Sequence, residues 1–247
     1  MVPVRTFKFG LAYDGAGFAG WAQQPHARTV EGVLTAEVRR VVPDLRRIMV
    51  GGRTDRGVHA TGQVISFPAR TGLSPSVLAD VMNEAAPREL VVTSAENVAS
   101  SFHARFSARS RAYVYTMPCD RPDVLARRIR PMLQALRGRR DFYAFARDTP
   151  RGARTTRSLS HAEVRAEQGA LRFDLEADGF LRRQVRVLVS TALREAQLEA
   201  PDDILVRLAA SMDRRATAPA APPEHLTLVA VRYDPTPRGP AARGSKL

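Results

Sequence analysis

The residues best suited to chemistry stand together in one run, Gly51-Gly52-Arg53-Thr54-Asp55-Arg56-Gly57-Val58-His59. A carboxylate set between two guanidinium groups keeps its charge, because nearby positive charge favours the ionised form. Glycines on both sides let the backbone come close to a ligand. Such a loop suits catalysis, since a positioned carboxylate can serve as a nucleophile or move a proton. The same residues also fit a plain turn, in which Asp55 caps its own backbone and the arginines are solvated. The run alone leaves both readings open.

The elements around the run decide how firmly it is held. A short apolar strand ends at Val50 and another spans Gln63 to Phe67, so the run is a loop between rigid segments. Upstream, Phe7, Phe9, Leu11 and Tyr13 alternate with a period of two, the mark of a half-buried strand. Val30, Val33, Leu34, Val38 and Val41 then form a helical stripe that stops near Pro43. Ser74 followed by Pro75 reads as a capped helix start, with Val77, Leu78, Val81 and Met82 as its buried face. Further strands are expected at Ala112 to Met117, Ala170 to Ala177 and Leu226 to Tyr233, and a helix from about Phe180 to Glu195. Arg182, Arg186 and Ser190 share a row beside that helix's apolar face.

The 247 residues, 44% of them hydrophobic, suffice for one large core or two fused smaller ones. The expected division is an N-terminal half over residues 1–104, a C-terminal half over 105–235 and a loose tail over 236–247, with the halves sharing one sheet. No apolar stretch is long enough for a membrane span and the N-terminus lacks a signal pattern, which implies a cytoplasmic protein. One cysteine, Cys119, excludes an internal disulfide framework, and five scattered histidines offer no metal-ligand spacing. The net charge of +13 attracts polyanions such as RNA. Since only Lys8 and Lys246 are lysines, an arginine-rich genome would explain that charge equally well.

Beyond these physical readings, the run Gly52-Arg53-Thr54-Asp55 with Gly57-Val58-His59 and Gly62-Gln63-Val64 resembles the signature loop of TruA-type tRNA pseudouridine synthases. Other stretches of that family follow in order: Leu11 to Gly15 with Gly20-Trp21 and Gln24, Phe102 to Ala108, Arg111 to Tyr115, Asp141-Phe142 with Phe145, and Thr156 to Leu159. Phe180 with Val185-Arg186, and Leu226-Thr227-Leu228, complete the set. The resemblance implies an α+β fold of two similar halves sharing a continuous, mostly antiparallel sheet, with helices on one face and a basic cleft on the other. It implies a homodimer that needs no cofactor and no metal. The implied activity is isomerisation of uridine to pseudouridine at positions 38 to 40 of the tRNA anticodon stem-loop.

By the same resemblance Asp55 is the catalytic carboxylate, Tyr113 packs against the target uracil, and Arg186 pairs with Asp55. Arg53 is expected to prop the space left by the flipped base, or else to contact phosphate. Thr54, Arg56, His59 and Arg111 are the remaining candidate substrate contacts, although His59 and His103 also read as structural. Without the family, Tyr113 is an ordinary strand aromatic and Arg186 would reach for water. Departures from the pattern touch the substrate more than the reaction. Residues 118–140 look short for the family, Gln184 stands where methionine is favoured, and Ser190 and His225 stand where glycine is favoured. An enzyme for another RNA or for a free uridine nucleotide, and a non-catalytic RNA-binding protein, are the alternatives.

Overall fold

Alternation over the first residues does produce a strand, β1 (Val4–Tyr13), which buries Phe7, Phe9, Leu11 and Tyr13 together. The computed structural model describes residues 2–85, 88–150 and 152–234. After β1 come α1 (Val30–Val41), β2 (Met49–Val50), β3 (His59–Arg70), α2 (Pro75–Ala85) and β4 (Leu90–Val98). The chain continues with β5 (Ala108–Pro118), α3 (Pro122–Leu136), β6 (Gly138–Asp141), β7 (Thr156–Glu167) and β8 (Ala170–Ala177). It closes with α4 (Gln184–Gln197), α5 (Ile204–Ser211) and β9 (Leu226–Tyr233). The expected cap is present, with Ser74 Oγ accepting from Val77 N at 3.2 Å before α2, and Thr29 caps α1 by accepting from Gly32 N.

The strands form a single sheet in the order β4-β1-β3-β9-β5-β8-β7-β6, with β2 added on β3. All ladders are antiparallel except β3 with β9, so the α+β class and the mostly antiparallel, continuous sheet are as expected. The C-terminal strand β9 sits between β3 and β5 and joins the earlier part of the chain to the later part. Its parallel ladder with β3 comprises only His59 with Thr227 and Ala60 with Leu228.

One row of buried side chains crosses that seam in register: Leu90, Tyr13, Ala60, Leu228, Tyr113, Leu175 and Ala162. Residues in register share a face, and this face is the one the helices cover. α1 packs with α2, while α3 packs with α4, α5 and β7. A cleft is lined by the loops that follow β1, β2 and β8 and by Gln184, Val185 and Arg186 at the start of α4. Tyr113, a member of the buried row, lines the same cleft.

Two further differences have local causes. The helix expected from Phe180 starts at Gln184, because Arg183 adopts a left-handed conformation (φ 60) that no α-helix continues through. Residues 118–140, expected as a trimmed loop, include the fifteen-residue helix α3, which buries Ala126, Ile129, Met132, Leu133 and Leu136 despite Pro131 in its interior. The expected tail at 236–247 lies outside the described residues.

Backbones approach closely at the seam. A Cβ on Gly62 would stand 2.0 Å from the Val229 carbonyl oxygen and 2.9 Å from Ala230 Cα. Backbone cannot move aside there without parting β3 from β9. Gly62→Ala is therefore expected to lower stability by about 3 kcal/mol or more, as overpacking does when nothing can yield. A denaturant melt at unchanged protein concentration measures it.

Candidate active site

The loop after Val50 is held residue by residue. Gly51 N donates to Val64 O at 2.7 Å, and the Gln63 amide clasps Gly52, accepting from its N–H at 3.2 Å and donating to its carbonyl at 2.6 Å. The same amide donates to the Tyr13 hydroxyl, which lies 2.9 Å from Thr54 Oγ1. Burial, partly offset by these hydrogen bonds, pushes Tyr13 up to about 12, so its hydroxyl stays neutral and able to donate. Trp21 N donates to the Thr54 carbonyl from the other side. A turn then closes from Asp55 O to Val58 N, and its third residue, Gly57, takes φ 77, which a side chain would resist.

This anchoring leaves the Asp55 side chain free of its own backbone. Its Oδ2 lies 3.4 Å from Arg186 Nη1, while Oδ1 has no partner among the described residues. Arg186 is held before it meets the carboxylate: Nε donates to the Ala221 carbonyl at 2.6 Å, and Ala221 N donates to the Arg186 carbonyl at 3.2 Å. Its side chain is 13% exposed and that of Asp55 28%, so the pair sits below the rim but within reach of a ligand. Ser190 Oγ lies in bonding distance of the Pro219 and Arg186 carbonyls, tying the segment before Ala221 to α4.

Tyr113 lies in the buried row beside the pair, its ring edge-on to Phe180 at 5.3 Å. Burial first, and the neighbouring Tyr13 and Asp55 second, push its hydroxyl well above the usual range, so it remains a phenol. No described residue hydrogen-bonds that hydroxyl. Gly52 faces it, and a Cβ there would stand 3.7 Å away. Asp55, Tyr113 and Arg186 thus come together, as do Arg53 and Arg56, which are exposed on the cleft wall and bond to no described residue.

The other three candidates have different surroundings. Thr54 is buried with its hydroxyl on Tyr13. His59 lies off the cleft lining, its ring nitrogens engaged by Gly15 N at 3.2 Å, Asp14 Oδ1 at 3.0 Å and the Glu224 carbonyl at 3.1 Å. Arg111 reaches the cleft, yet its guanidinium donates to the carbonyls of Gly51, Asp178 and Arg105. It staples three loops. The site candidates left out Arg105, Arg154, Arg157, Arg182 and Arg183, which complete the wall; Arg105 and Arg157 stand in the family stretches without an assigned role, and the others carry no signal of their own in a chain this rich in arginine.

The cleft has a volume of about 1380 Å³, and its lining includes nine arginines against two aspartates. A half-buried carboxylate among nine arginines has the electrostatics of a site for a polyanion, which sets the class as a protein that handles polyanionic ligands. Sequence comparison makes the class specific. The sequence model for tRNA pseudouridine synthase matches residues 11–107 and 132–234, a range that holds Asp55 and Arg186 but not Tyr113. The tRNA pseudouridine synthase A of Chloroflexus aurantiacus is 35% identical over 252 residues, covering 94% of this chain and 90% of the relative. That of Geobacillus kaustophilus is 37% identical over 246 residues, covering 93% and 95%. Among solved structures, a Cbf5-Nop10-Gar1 complex covers 76% of this chain and 44% of its own at 15% identity and a TM-score of 0.38. The chain belongs to the tRNA pseudouridine synthase family.

The stapling role of Arg111 is testable. Lysine keeps the charge but cannot donate to three carbonyls from one planar group. Arg111→Lys is expected to lose about 2 kcal/mol of stability or more, since each hydrogen bond from a charged donor contributes about that much. Thermal unfolding reads the loss, and turnover should fall with it because Gly51 and Gly52 set the position of Asp55.

Proposed function

We propose that this enzyme converts uridine to pseudouridine in tRNA, at positions 38 to 40 of the anticodon stem-loop, with Asp55 as the catalytic carboxylate. The observation that carries the reading is the Asp55 side chain, turned away from its own loop, fixed on one oxygen by Arg186 and open on the other beside Tyr113. The reaction breaks the bond from the ribose anomeric carbon to the base nitrogen, turns the uracil, rejoins it through carbon 5 and releases the proton held there. It is an isomerisation and balances without an oxidant or reductant.

Asp55 acts either on the anomeric carbon or on a sugar proton, and then assists removal of the carbon-5 proton. Arg186 supplies a fixed positive charge that orients the carboxylate. The Tyr113 and Phe180 rings provide a wall for a flipped uracil. Arg53, exposed and unpaired among the described residues, is available to enter the stack or to meet a phosphate. In the described residues no helix is long and apolar enough to cross a membrane. Action in the cytoplasm suits a tRNA substrate, and a homodimer is the assembly implied by the resemblance.

Asp55→Asn is expected to abolish tritium release from tRNA labelled at carbon 5 of uridine while RNA binding persists; release at the parental rate would end the assignment. Arg186→Gln should lower kcat about 100-fold or more, with a far smaller effect on binding. Mapping the product by carbodiimide-blocked primer extension, on tRNA, on other RNA and with uridine monophosphate in parallel, decides the substrate.

A further inference from the structure

Phe106 is the most exposed large apolar side chain among the described residues, at 76%, and the only aromatic in that group. A single exposed apolar residue is ordinary on a protein surface, but this one stands on an unusually firm support. His103 Nδ1 lies 3.1 Å from Arg105 N and 3.4 Å from Phe106 N, and Ser107 closes on both the N–H and the carbonyl of His103. The turn is then fastened to the sheet, where Ser66 Oγ accepts from Ala104 N at 3.0 Å and the Tyr233 hydroxyl donates to the Ala104 carbonyl at 2.7 Å. Burial first, then the charge of Arg47, lowers the basicity of His103, which keeps its Nδ1 an acceptor for that turn.

The ring lines the same cleft as Asp55. His103 lies 4.4 Å from it, centroid to centroid, and the Arg105 guanidinium carbon lies 5.7 Å from its centroid. A rigid, solvent-facing aromatic set among cations in a groove is the arrangement that binds single-stranded nucleic acid, where bases stack on rings and arginines meet the backbone. We infer that Phe106 is a stacking platform for an unpaired base of the RNA substrate, outside the pocket that receives the target uridine. This rests on the proposed RNA substrate and adds to it a residue that grips the loop around the target.

The test measures KM, kcat and equilibrium Kd with unmodified tRNA transcript for the parent, Phe106→Ala, Phe106→Leu and Phe106→Trp. The alanine variant is expected to raise KM and Kd about 10-fold, with kcat within about two-fold of the parent. Leucine keeps apolar bulk without a π face and should not restore binding. Tryptophan should restore it, and its fluorescence should fall on RNA binding beyond the change in Phe106→Ala, where Trp21 alone reports. Parental KM and Kd in the alanine variant overturn the inference. So does rescue by leucine equal to that by tryptophan, or a drop in melting temperature that accounts for the loss. Should the parent make no pseudouridine in tRNA, the proposed function fails by itself, and the Kd series still decides what Phe106 does.

Discussion

The contact between Asp55 and Arg186 joins residues 131 positions apart in the chain, and almost every feature around it constrains one partner or the other. Asp55 belongs to a loop anchored on β3, and Arg186 to the first turn of a helix that packs with α3 and α5. The two meet only because β9 closes the parallel seam between β3 and β5. That seam is short, with two register pairs. Its integrity rests instead on packing: the row from Leu90 to Ala162 runs unbroken beneath it, and Gly62 lets the backbones approach. A carboxylate and a guanidinium at 3.4 Å are weakly bonded by distance alone. Their relative position is imposed by the elements that carry them, which is the preorganisation an electrostatic role requires.

Positive charge in the cleft divides into two populations with different uses. Arg111 and Arg186 bond to backbone carbonyls and build the site. Arg182 and Arg183 share Asp148, at 3.3 and 3.7 Å, on exposed ground where such pairs contribute little and exchange readily with another anion. Arg53 and Arg56 have no partner among the described residues. A composition dominated by arginine serves both uses, since the same planar fork that clamps three carbonyls can clamp phosphate. The +13 charge is therefore a poor guide to which arginines face a ligand, because internal bonding decides it.

Legibility in the sequence follows the same division. Elements with clean periodicity, β1, α1, α2, β8 and β9, were readable because their apolar residues alternate or recur without interruption. β7 escapes that reading: a register shift between Leu159 and His161 breaks its alternation, and polar residues fill its open face. α3 is obscured by Pro131 and by arginines between its buried positions. At the site, the grouping of Asp55, Tyr113 and Arg186 came through resemblance, while the engagement of Thr54, His59 and Arg111 did not. No spacing rule says whether a donor points into a cleft or back at a carbonyl; that depends on loops distant in the chain.

The departures from the family pattern take on meaning in this setting. Ser190, where glycine is favoured, adds a hydroxyl toward the Pro219 carbonyl and so braces the segment whose Ala221 fixes Arg186. Gln184, where methionine is favoured, accepts from Leu181 N at 2.8 Å and stabilises the tight turn that puts Arg183 at positive φ ahead of the helix. His225 sets its ring edge-on to Tyr115 at 5.8 Å, at the entry to β9. Each change lies on the supports of α4 and β9 rather than on the carboxylate. The Ser190 hydroxyl meets internal carbonyls and so braces the surroundings of Arg186. Gln184 satisfies only its oxygen and leaves Nε2 buried without a partner among the described residues, which carries a desolvation cost.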